Sequence, residues 1–181
     1  QHRQPNKGML GRVAMDGANQ ELRLPEDGAA CRRRDKSSLL EEAMTLLASH
    51  GAIFIGQNVR YGAGIAMYDH LSGVPSYQRI EWPVAEDLNV GAAVGLSIQK
   101  FLPVVVIPRF DFLLRAADSI INHCDKLAAM SVGQFTPKII IRTRIGAKWP
   151  LNAGPQHSQD HCDAFRLMLT SVKVVKIQCE D

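Results

Sequence analysis

The chain has 181 residues, 46% of them hydrophobic and 22% charged, with a formal net charge of +3. That length suits one domain, and the balance excludes wholesale disorder, collagen-like repeats and low-complexity architecture. No apolar run reaches the roughly 18 to 20 residues of a membrane helix, and no basic stretch leads into an apolar signal region, so the chain reads as soluble, not secreted and without a membrane partner.

The basic bias is local. Residues 1–36 hold eight Lys and Arg against five Asp and Glu, and the thirteen of each sign that follow cancel. The only basic run, Arg32-Arg33-Arg34, sits in a segment rich in Gly, Asn, Gln and Pro. We therefore read 1–36 as a weakly ordered basic tail and expect no nucleic-acid partner. Asp16, Glu21, Glu26 and Asp27 argue against an organelle leader. Cys31, Cys124, Cys162 and Cys179 show no CxxC spacing, which points to a reducing compartment, the cytoplasm or, in a eukaryote, the mitochondrial matrix. His157, His161 and Cys162 offer too few convergent ligands for a zinc site, and no metal is assigned to this chain's residues.

Regular patterning begins at residue 37. Ser38 and Glu41 have the capping-box form, and Leu39, Leu40, Ala43, Leu46 and Leu47 predict a helix to about His50. The residues from Ala52 to Ile55 predict a buried strand ended by Gly56, followed by a poorly periodic stretch to Gln78. A strand over 79–85, a small-residue helix over 87–100 and a strand over 104–107 come next. Leu113, Leu114, Ala117, Ile120, Ile121, Cys124 and Leu127 predict the longest helix, over 111–130. A strand over 138–143, a Gly/Pro loop over 144–158, a helix over 160–169 and a closing strand over 172–177 complete the order. Apolar strands alternating with helices predict an α/β fold, a mostly parallel twisted sheet with helices on both faces. In such sheets ligands bind at the carboxyl ends of the strands.

Three segments after strands carry candidate chemistry. Glu86, between a strand and a helix bearing Gly91 and Gly95, is either a partly desolvated carboxyl able to share a proton or an acid favoured by the helix dipole. Phe110 and Phe112 flank Asp111, where aromatic rings either fill the core or stack on a ligand. His157 lies in a long loop after a strand, where reactive groups are often carried.

FIGQNV, PVAEDLNVGAAVGLSI, FDFLLRAADSIINHCDK, IIIRT, GPQHSQD and KVVKI occur in this order between Leu39 and Ile177. This combination resembles the pyrimidine-binding domain of thiamine diphosphate enzymes. It is closest to the beta subunit of the decarboxylating component of 2-oxo acid (pyruvate or branched-chain) dehydrogenases. The resemblance implies that residues 37–181 form that domain. It implies that Glu86 hydrogen-bonds a ring nitrogen of the cofactor's aminopyrimidine and promotes proton removal from the thiazolium carbon. By the same resemblance Phe110 packs on the aminopyrimidine, Gln57 lies in a cofactor-side loop, and His157 is catalytic, on the substrate side. Gly91 and Gly95 match glycines of a beta-beta contact, the alternative being close packing within one chain.

The match has three departures. Gln57 and Asn58 stand where the family commonly has two acidic residues. The chain has no GDG motif with downstream Asn residues, the nearest strings being MDG and EDG in the tail. The resemblance therefore implies that an alpha subunit holds the diphosphate and magnesium of thiamine diphosphate, with the 2-oxo acid bound between the chains. Finally, the sequence stops four residues after Ile177, so we expect the family's C-terminal transketolase-type domain to be absent. Two alternatives accompany the dehydrogenase reading: a transketolase-type two-carbon transferase component, and a truncated non-catalytic subunit that only binds partners.

Overall fold

A computed structural model describes residues 36–62, 68–148 and 152–177. The tail up to Asp35, with Cys31 and the Arg32–Arg34 run, lies outside the described residues, as does Cys179. Helix α1 (Lys36–Ser49) leads into β1 (Ala52–Gly56), and turns at Asp69–Leu71 and Ser76–Gln78 precede β2 (Arg79–Glu81). There follow α2 (Glu86–Ile98), β3 (Leu102–Val106), α3 (Phe110–Leu113), α4 (Leu127–Met130), β4 (Ile140–Arg142) and α5 (Cys162–Met168). The strands form one all-parallel sheet in the order β2-β1-β3-β4. No helix among the described residues is long and apolar enough to cross a membrane.

Both faces of this sheet are covered, as the strand composition predicts. Phe54, Val104 and Val106 pack on one side against Met44 and Ala48 of α1 and against Leu71 and Val74. Ile55, Val105 and Ile107 face the other way, onto Val90 and Ala93 of α2, Phe110, Leu113, Ile120 and Phe165. Neighbouring residues on β1 and β3 thus serve opposite cores, the period-two geometry of a strand buried on both sides. A buried amide fixes the join of α1 to β1: Gln78 Nε2 donates to Ala48 O and Ala52 O, each at 2.8 Å.

Four expectations change. Lys36 is already helical, so Ser38 lies inside the first turn of α1 and is not its N-cap. The strand expected over 79–85 ends at Glu81, because Pro83 cannot donate to a ladder. The helix expected over 111–130 is interrupted: α3 tightens into a 3-10 turn at Leu114–Ala116, then widens into a π-helix at Ser119–Cys124 before α4. The changed pitch buries Leu113, Ala116, Ile120 and Cys124 and leaves Leu114 exposed. The closing strand over 172–177 does not form. Only Val172 and Val174 are partly covered, and side chains take up the segment's polar groups: Val172 N–H donates to Asp125, Val174 O accepts from Arg166, and Lys176 pairs with Asp160.

Asp125, just after the π-helix, is the centre of the contact with 170–172. Its buried carboxylate accepts the backbone N–H groups of Thr170, Ser171 and Val172, at 2.6 to 3.1 Å. The Thr170 and Ser171 hydroxyls and Lys126 Nζ add further bonds, at 2.8, 2.9 and 2.5 Å. Burial alone would raise its pKa, but Lys126, the Val172 and Ser171 N–H groups and the Thr170 hydroxyl hold it well below the ordinary carboxylate range. His70 shows the opposite chemistry. It is buried with Nε2 unpartnered among the described residues, and desolvation, then the charges of Arg142 and Arg144, lower its pKa to about 3.

Asp125→Asn should lower stability by about 2–4 kcal/mol at pH 7, read from the urea midpoint. A depressed carboxylate stabilises the fold above its unfolded pKa of about 4, so the difference should shrink as pH falls below that value. His70 is neutral in the fold but takes up a proton when unfolded below about pH 6.5. Stability should therefore fall from pH 6.5 towards 3, by up to about 1.4 kcal/mol per pH unit from this group, and His70→Leu should flatten that slope between pH 6.5 and 5.

Candidate active site

The carboxyl edge of the sheet is set by a close approach. Gly56, at φ +151°, ends β1 so near β3 that a Cβ there would lie 2.4 Å from Val106 O, a position only glycine can fill. Gln57 follows, partly buried, in a turn where Asn58 has φ +60°. Glu81 holds that turn from the end of β2: Asn58 N–H donates to Oε1 at 2.5 Å and Arg60 N–H to Oε2 at 3.0 Å. The sequence reading treats Glu81 only as a strand residue. An acid two residues before Pro83, which stops a strand, was the available signal.

Glu86 is the first residue of α2 and only 6% exposed. Its Oε2 is buried and has no hydrogen-bond partner among the described residues. Arg115 Nε lies 3.9 Å from that oxygen, an ion-pair distance too long for a hydrogen bond, and the Arg115 side chain is largely in solvent. The start of the helix suits a negative group, but nothing described replaces the water that Oε2 has lost. The unpartnered oxygen is what the dipole role alone leaves unexplained.

The segment after β3 reaches both of its neighbours. Arg115 faces Glu86, while Phe112 meets the His157 ring edge-on with centroids 5.4 Å apart. Phe110 is buried in the core; its ring packs on Phe165 and, edge-on, on His161, both at 5.5 Å. Of the two sequence readings for this ring, filling the core is what it does within the chain. His157 is half-buried, its N–H donating to Gly154 O at 3.2 Å. Gly146 presses on the same residue: a Cβ there would lie 2.0 Å from His157 O.

Gln57, Glu86, Phe110 and His157 all follow strands at one edge, yet among the described residues none of the four is hydrogen-bonded to another. Gly91 and Gly95 are exposed. A Cβ on Gly91 would meet only Ser119 Oγ, at 3.8 Å, and one on Gly95 would meet nothing within 4 Å. Close packing inside the chain therefore does not explain these glycines, which share an open face of α2 with the half-exposed Leu88. Cys124 and Cys162 are free and buried. Among the described residues no group of three or more His, Cys, Asp and Glu is placed to hold a metal ion.

No family model matches the chain. Curated relatives do. The chain is 39% identical over 80 residues to the mitochondrial pyruvate dehydrogenase E1 component subunit beta-2 of Oryza sativa subsp. japonica, covering 44% of this chain and 21% of that protein. It is 34% identical over 109 residues to the pyruvate dehydrogenase E1 component subunit beta of Chlorokybus atmophyticus, covering 59% and 32%. It is 31% identical over 123 residues to the corresponding subunit of Porphyra purpurea, covering 67% and 36%. The matches thus span about a fifth to a third of the relatives' length. In its all-parallel sheet and in these relatives, the chain is similar to part of the beta subunits of the pyruvate dehydrogenase E1 component.

Proposed function

We propose that the chain is a beta-type component of a thiamine diphosphate-dependent 2-oxo acid dehydrogenase, supplying the pyrimidine half of a site shared with an alpha-type subunit. The observation that carries this reading is Glu86 Oε2, a carboxyl oxygen buried at the carboxyl edge without a hydrogen bond among the described residues. Leaving such an atom unpaired costs about 1–3 kcal/mol, so its burial makes sense where a donor arrives from outside the chain. A protonated ring nitrogen is such a donor, and the acid fits the aminopyrimidine end of the cofactor.

When bound, thiamine diphosphate supplies the carbanion-stabilising chemistry by which a 2-oxo acid loses carbon dioxide. The work of this chain is narrower. Glu86 holds or releases a proton at Oε2, Gln57 borders the cofactor side of the edge, and His157 stands on the substrate side as a proton-carrying group. Phe110 supports this edge from the core, through its ring contacts with His161 and Phe165. The diphosphate and its magnesium fall to the alpha-type partner, a division supported by the lack of a GDG motif with downstream Asn residues in the sequence. The open Gly91 and Gly95 face of α2 suits a contact with a second beta-type chain, since glycines allow two helices to approach closely. Rice and other relatives named as mitochondrial make the matrix a reasonable compartment, with the cytoplasm as the counterpart in a prokaryote.

The test is Glu86→Gln in the chain assembled with an alpha-type subunit. Thiamine diphosphate-dependent turnover of a 2-oxo acid should fall by about 10²- to 10⁴-fold, the usual contribution of a positioned acid or base, while the urea midpoint stays close to that of the parent. Full turnover in this variant would exclude the role given to Glu86.

A further inference from the structure

The loop that carries His157 has no helix or strand of its own among its described residues between Arg142 and Cys162. A segment of that length keeps one shape only if side chains hold it. Two adjacent residues of α3 do so. Gln159 Nε2 donates to Asp111 Oδ1 at 2.7 Å, and Phe112 meets the His157 ring edge-on at 5.4 Å. The other end of the loop is tied to the same short helix, because Phe110 N–H donates to Arg144 O at 3.0 Å. Between these anchors the chain folds on itself: His157 N–H and Ser158 Oγ both donate to Gly154 O, at 3.2 and 3.1 Å.

We propose that Asp111 is a positioning residue for His157, forming with Phe112 a two-point seat that fixes the 154–160 loop against the exit of β3. The inference deepens the preceding reading and rests on it only in treating His157 as a group of the reaction. Asp111 Oδ2 is buried without a hydrogen bond among the described residues, so the bond from Gln159 is the one that compensates this partly desolvated carboxylate. The ring contact fixes the plane of the imidazole, and the Asp111–Gln159 bond, two residues further on, fixes the backbone that carries it.

The experiment is hydrogen exchange over the amides of residues 154–160 in the full chain, for the parent, Asp111→Ala, Asp111→Asn and Gln159→Ala. Asp111→Ala and Gln159→Ala should each speed exchange there about tenfold, the effect of losing one hydrogen bond that holds the loop. Asp111→Asn should behave like the parent, because its amide oxygen still accepts from Gln159. Gln159 is exposed, so its variant keeps the test intact if Asp111→Ala fails to fold. In the assembly with an alpha-type subunit, Asp111→Ala should lower kcat several-fold with little change in the KM for the 2-oxo acid, and Asp111→Asn should restore it. Unchanged exchange in both Asp111→Ala and Gln159→Ala would overturn the seat. Faster exchange with unaltered kcat would keep the hydrogen bond as a hold on the loop but overturn Asp111 as a positioning residue for the reaction.

Discussion

Everything at the candidate site depends on the pairing of β1 with β3, sealed where Gly56 meets the carbonyl of Val106. The two strands run parallel and both are buried on each face, so neither can turn back on its neighbour through a tight hairpin. Each must leave the sheet at the same edge and return by a crossover. The loops bearing Gln57, Glu86, Phe110 and, after β4, His157 are therefore gathered at one edge by backbone hydrogen bonding before any side chain chooses a partner.

Side chains then finish what the ladder begins. Glu81 holds the turn after β1, Asp125 gathers the N–H groups of Thr170 to Val172, and Gln159 joins Asp111. In each case a carboxylate accepts hydrogen bonds from a loop that has no ladder of its own, so charge takes the place of secondary structure. Glu86 stands apart. It is only 6% exposed, more buried than Glu81 or Asp111, and its Oε2 has an ion-pair distance to Arg115 but no hydrogen bond among the described residues. That contrast, rather than burial alone, makes the edge read as half of a site completed by another molecule.

The parallel core was legible because Ala52 to Ile55 and Val104 to Ile107 are short, β-branched and apolar, leaving little choice but a strand covered on both faces. Glu86 and His157 were legible as positions after strands, and the roles proposed for them come from the resemblance. What stayed hidden is where long-range hydrogen bonds overrule local periodicity. The stripe from Leu113 to Leu127 implies one uniform helix, but a tight turn followed by a wide one buries Ala116 in place of Leu114. The apolar content of Val172 to Ile177 suggests a strand but does not show who accepts its N–H groups, and Asp125 takes the first of them. The role of Asp125 could not be found from its neighbours, since the N–H groups it accepts lie more than forty residues away. The Gly91 and Gly95 pair was ambiguous for the same reason: spacing cannot tell whether a bare helix face is filled from within or without.

If this chain carries the pyrimidine half of a shared site, titration calorimetry of thiamine diphosphate with magnesium should show no measurable binding by the chain alone. The chain co-expressed with an alpha-type subunit should bind it, and Glu86→Gln should weaken that binding. Tight magnesium-dependent binding by this chain alone would contradict the shared site.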